Sequence, residues 1–213
     1  FQPVDFRLDV IMRIVGAHRA TKNHRSGMLL QGVRERVSEN RASDIEAEPH
    51  LLEHLVFRQS KYLGEAQAIP TWQRLGATFG SDANAETSPT HTAYKLDIPD
   101  ISDTKLYESF KLLSGMMAAP ALSDANLRAE VPIVLAEKRE RGGAGERVGQ
   151  ATRETFYAGQ LLATRSPIGT DQTLEGATSA AVRAFHTRWY RPENAVIVAV
   201  GDADPAELAR LIG

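Results

Sequence analysis

His50, Glu53 and His54 fall within one five-residue run, His50-Leu51-Leu52-Glu53-His54. In a helix, positions i and i+4 lie nearly one above the other, so the two imidazoles can face the same way and share one zinc ion. Zinc takes imidazole nitrogen at about 2.0–2.1 Å and prefers four ligands, one of them water in a catalytic site. Glu53, one residue before His54, projects beside such an ion. A carboxylate there can take a proton from water whose pKa zinc lowers from about 15.7 towards about 7. The ordering His-x-x-Glu-His is that of the inverted zincin motif. The alternative is an amphipathic helix that buries Leu51, Leu52 and Leu55 and carries two partly exposed histidines.

Two histidines do not complete a zinc site. The chain has no cysteine, which excludes disulfides, thiolate zinc sites and cysteine nucleophiles together. A third ligand must be His, Asp or Glu. The stretch "NLRAEVPIVLAEKRER" offers Glu130 and Glu137, seven apart and on one helical face with Val134 between them. A carboxylate facing an apolar interior needs a partner, and a cation supplies one. On spacing alone, both are equally well surface carboxylates paired with Arg128, Lys138 or Arg141.

The 213 residues are 42% hydrophobic and 24% charged, a composition and length that suit a globular chain able to bury a core. A net charge of −2 provides no basic field for nucleic acid or anionic membranes. No run of eighteen apolar residues is present to span a bilayer. "RGGAG" (141–145) lacks the Lys-Ser/Thr tail of a phosphate loop and reads as a break. The chain begins at Phe1 with no leader pattern, so either a leader has been removed or the chain is trimmed. Lack of cysteine suits an oxidising periplasm as well as a cytosol.

The elements that must position these residues are legible in outline. "FRLDVIMRIVGA" (6–17) and "GMLLQGVRERV" (27–37) are strand candidates, joined by a polar loop that holds His18 and His24. Pro49 suits the first turn of the helix that carries His50. "TWQRLGATFGS" reads as a short helix and turn, and 84–100 as two β-like runs broken at Pro89. Leu106, Phe110, Leu113 and Met117 stripe a helix over 103–118. Ser123 and Asp124 offer a cap for a helix to about 141, with Pro132 awkwardly inside it. Helices near 147–159 and 178–190, an apolar strand "NAVIVAVG" (194–201) and a final helix follow. This order predicts an α+β fold, a mostly antiparallel sheet packed against a layer of helices.

Four segments, in order, resemble the catalytic N-terminal domain of the pitrilysin, insulin-degrading-enzyme and mitochondrial-processing-peptidase family: "HLLEHLVF", "NAETSPTHTAY", "EVPIVLAEKRE", and "SPIGT" with "RWYRPENAVIVAVGDADPAEL". They span roughly residues 47–213; residues 1–46 match weakly. Carried over by position, the resemblance implies that His50, His54 and Glu137 hold one zinc ion per chain and that Glu53 is the general base. Glu130 is then a supporting carboxylate, and Asn84–Ala85 belong to an edge strand against which peptide substrate lies extended. The 82 residues between His54 and Glu137 imply a small insertion, placed around "GEAQAIPTW", and Pro132 implies a kink in the ligand helix.

The expected activity is therefore that of a zinc metalloendopeptidase acting on peptides or unfolded polypeptides. The expected organisation is a single domain over 1–213, weakly active without the second homologous domain or partner chain that completes the family's site. A bacterial compartment is expected, periplasm ahead of cytoplasm. The alternative within the family is a non-catalytic scaffold or binding subunit. S-ribosylhomocysteine lyase shares the motif order but takes a cysteine as third ligand, which this chain lacks.

Overall fold

A computed structural model describes the backbone of residues 7–15, and residues 47–99, 102–201 and 203–212 with their side chains, Leu161 by backbone only. The second strand candidate (27–37) and the loop with His18 and His24 lie outside the described residues. Strands β1 (Arg7–Val15), β2 (Ala83–Thr87), β3 (His91–Pro99) and β4 (Ala195–Gly201) form one sheet in the order β2-β3-β1-β4. Helices α1 (Glu48–Arg58), α2 (Ala68–Leu75), α3 (Asp103–Ala118), α4 (Asp124–Arg141), α5 (Ala144–Phe156), α6 (Leu161–Thr164), α7 (Asp171–Glu175), α8 (Ser179–Trp189) and α9 (Pro205–Ile212) account for most of the rest.

The α+β class is as expected, but the strand pairing is not mostly antiparallel. β2 and β3 are antiparallel across the turn that contains Pro89, whereas β1 runs parallel to both β3 and β4. Parallel neighbours need long crossovers. Here α1 and α2 lie between β1 and β3 in the chain, and all the remaining helices except α9 lie between β3 and β4. β2 pairs only with β3 among the described strands and so forms one edge of the sheet.

α1 is the centre of the packing and touches β2, β3, α3, α4 and α8. Leu51, Leu52, Leu55 and Val56 are at most 1% exposed, and burying such side chains contributes about 1.5–3 kcal/mol each. Pro49 sits in its first turn, as its fixed φ and missing N–H favour. In β3, Tyr94, Leu96 and Ile98 point into the core at period two while Lys95 faces out. In α3 the buried stripe is wider than Leu106 and Leu113 alone. Ser109, Leu112 and Met116 are buried, while Phe110 and Met117 flank the stripe half-buried.

α4 is capped by Ser123, whose side chain accepts from the Asn126 N–H at 3.1 Å. It continues as one helix through Pro132. That proline removes one backbone donor at a half-way point without ending the helix. Glu137, one turn beyond it, therefore stays in line with Glu130.

Candidate metal centre

Six consecutive residues of α1, from Pro49 to His54, carry the local chemistry and the anchoring together. Pro49, Leu51 and Leu52 are buried with His50 and Glu53, and His54 reaches the rim. Helix α4 crosses alongside, with Glu130, Val134 and Glu137 facing α1. Val134 is fully buried between the two carboxylates. The face-of-helix reading of Glu130 and Glu137 therefore describes the structure, although a surface partner is present as well: Arg141 pairs with Glu137 Oε1.

His50, His54 and Glu137 each bring a potential ligand atom within 4.8 Å of the others. Glu137 Oε2 lies 3.4 Å from His50 Nε2 and 3.3 Å from His54 Nε2. It is buried and has no hydrogen-bond partner, and neither has His50 Nδ1. Two donors about 2.0–2.1 Å from a zinc ion at the tetrahedral angle stand about 3.3–3.4 Å apart. Both measured edges fit that figure. The two imidazole rings are nearly perpendicular, at 86°, with centroids 4.9 Å apart, so they approach a common point from different directions.

The other nitrogen of His54 sets its tautomer. Nδ1 lies 3.3 Å from Glu130 Oε2, so in the neutral ring Nδ1–H donates to that carboxylate. The Nε2 lone pair then faces Glu137 Oε2, and two acceptors meet with no hydrogen between them. Such a pairing calls for a cation. Glu130 is held in turn by Arg58, whose Nη1 donates to Oε1 at 2.9 Å and whose Nε donates to Asn126 Oδ1 at 3.3 Å. A carboxylate that orients a ligating imidazole in this way is the usual outer layer of a zinc site.

The titrating groups follow this geometry. Burial, with His54 and Arg141 nearby, pushes His50 down to about 3, so it stays neutral at physiological pH. Burial works against protonation of His54 too, but the hydrogen bond to Glu130 and the charges of Glu53 and Glu137 outweigh it and raise its pKa. Burial also works against ionisation of Glu130, yet the hydrogen bonds from His54 and Arg58 hold it below the usual carboxylate range. Glu53 is raised, chiefly by burial. A raised pKa suits a group that must accept a proton near neutral pH.

Glu53 has a partner that sequence reasoning missed. Thr87, the last residue of β2, donates its hydroxyl hydrogen to Glu53 Oε2 at 2.5 Å. Thr87 lies inside the segment that carries the family resemblance, but only the fold brings it to α1, 34 positions away. Arg58 was missed for the same reason. Asn84 and Ala85 lie on the edge strand β2, as expected. Asn84 is exposed, and its Oδ1 accepts from the Ala85 N–H at 2.9 Å.

Comparison with known proteins bears on this site. Residues 43–163 match the family described as Insulinase (Peptidase family M16), and residues 176–213 match Peptidase M16 inactive domain. The probable zinc protease PqqL of Escherichia coli (strain K12) is 32% identical over 163 residues, 76% of this chain and 18% of the relative. The crystal structure of the periplasmic protease PqqL from Escherichia coli superposes with a TM-score of 0.74 at 30% identity, covering 82% of this chain and 19% of that one. The first half of the same protease, solved separately, gives 0.74 at 31% identity and covers 81% and 37%. The chain thus spans less than a fifth of the Escherichia coli relative and less than two fifths of any relative named among its sequence matches.

Proposed function

The chain belongs to the insulinase family of peptidases, family M16, and from that premise we propose that it is the zinc-binding catalytic domain of a metalloendopeptidase acting on peptides or unfolded polypeptides. The observation that carries the proposal is the convergence of His50 Nε2, His54 Nε2 and an unpartnered Glu137 Oε2. These three residues are the ligands in this reading. Zinc held there supplies a Lewis acid that polarises a peptide carbonyl and acidifies water.

The chain's own groups do the rest. Glu53 takes the proton of the attacking water and returns it to the leaving amine, its raised pKa letting it hold that proton between the two steps. Glu130 keeps His54 in the tautomer that presents Nε2. The open edge of β2 at Asn84–Ala85 offers main-chain groups to an extended peptide, which gives affinity with little demand on side chains. To bind there, a peptide must displace the Asn84 side chain from the Ala85 N–H.

Residues 1–213 form a single domain in this reading, and a second homologous half or partner chain completes the substrate chamber. The Escherichia coli relative is a periplasmic protease, and a bacterial periplasm is the compartment we assign. The test is hydrolysis of an unfolded reporter polypeptide by zinc-loaded protein and by its Glu53→Gln variant. The proposal expects turnover that chelation abolishes and that the variant lacks while keeping its zinc. Equal turnover by both proteins would rule out Glu53 as the base.

A further inference from the structure

Thr87 does not stand alone against Glu53. Its hydroxyl lies 3.2 Å from that of Thr92 on β3, and Tyr94, two residues further along β3, shares a 2.6 Å hydrogen bond with Tyr190. Thr92, Tyr94 and Tyr190 are 0%, 2% and 9% exposed, so water does not compete for these bonds. Each hydroxyl has one hydrogen to give. A carboxylate at Glu53 accepts only, which commits the Thr87 hydrogen to it. Thr87 must then accept from Thr92. The two threonine hydroxyls therefore point one way, towards Glu53, and one bond polarises the next.

We infer that Thr87, itself held by the buried Thr92 hydroxyl, is a positioning residue that ties Glu53 Oε2 and leaves Oε1 as the oxygen presented to the attacking water. The inference rests on the peptidase reading above. It also joins base and substrate mechanically, because Thr87 closes the same edge strand, β2, that offers Asn84 and Ala85 to an extended peptide.

The test compares wild type, Thr87→Val and Thr87→Ser for zinc content, kcat and KM on the reporter polypeptide, and for the Glu53 carboxylate in crystals of each. Thr87→Ala replaces Val if the second methyl prevents folding. The expected result for Val is kcat lower by about 10- to 100-fold, the scale of a catalytic group displaced by about 1 Å. KM stays within about twofold, zinc content is unchanged and the Glu53 carboxylate is rotated or split. Serine, which keeps the hydroxyl, restores kcat and the single orientation. A Val variant with wild-type kcat overturns the inference, as does a loss that serine fails to restore. If zinc-loaded wild type is itself inert, the peptidase reading fails. The crystal comparison then still decides the inference, since an unmoved Glu53 carboxylate in the Val variant refutes it.

Discussion

Replacing Glu130 with Gln changes one charge and almost no volume, at a side chain only 7% exposed. The carboxylate accepts from His54 Nδ1 at 3.3 Å through one oxygen and from Arg58 Nη1 at 2.9 Å through the other. An amide can satisfy only one of these donors, because its NH2 group then faces the other. Arg58 has a further acceptor in Glu65, at 2.9 Å, whereas His54 Nδ1 has no other hydrogen-bond partner than Glu130 among the described residues. The amide oxygen is therefore best used by His54, as a neutral acceptor in place of an anion. The imidazole becomes less basic, and zinc affinity falls by about 10- to 100-fold, which corresponds to about 1.4–2.7 kcal/mol.

The proton works in the opposite direction. Without the Glu130 charge, His54 loses one of the groups that raise its pKa, which falls back and relieves competition between proton and zinc. The loss of affinity is thus largest at alkaline pH and shrinks towards pH 6. Competition with a chromophoric chelator at pH 6, 7, 8 and 9 reads both effects, with Glu140→Gln on the exposed face of α4 as the control. Wild-type affinity for Glu130→Gln at pH 9 would refute the reasoning.

Zinc binding should itself depend on pH through His54 and not through His50. His50 is neutral down to about 3, whereas the raised His54 keeps a proton above 6.5 that zinc must displace; affinity therefore climbs between pH 6 and 8, and a flat profile there contradicts the assignment. Gly169 in "SPIGT" adopts φ +76°, and a Cβ there would lie 2.8 Å from both Ala47 Cβ and Thr173 Oγ1. Gly169→Ala should destabilise by about 1–3 kcal/mol, lowering the melting temperature by about 2–4 °C for each kcal/mol, and an unchanged melting curve would contradict the contact with the start of α1.

The parts of the site that lie on single helices were legible in the sequence. The i, i+4 spacing of His50 and His54 and the seven-residue spacing of Glu130 and Glu137 each define one helical face, and no long-range information is needed to see it. Which of the two glutamates faces the imidazoles was open on spacing and came from the family resemblance. Contacts made by strand pairing were not legible. Thr87 reaches Glu53 because β2 packs on α1, and Tyr190 reaches Tyr94 because the fold sets the end of α8 beside β3. Neither follows from a local pattern. The parallel pairing of β1 was missed for a related reason, since alternation along a strand fixes which face is buried but not the direction of its neighbour. Pro132 costs α4 one backbone donor, yet the helix is continuous on either side of it, with Leu127, Glu130 and Val134 buried.

Metal content of the purified wild type beside Glu137→Gln tests the central claim most directly. The account predicts about one zinc per chain in the wild type and loss of tight binding when the third ligand is neutralised, since two imidazoles alone do not complete a zinc site. No zinc in the wild type even after soaking, or equal and equally tight zinc in both proteins, would contradict it.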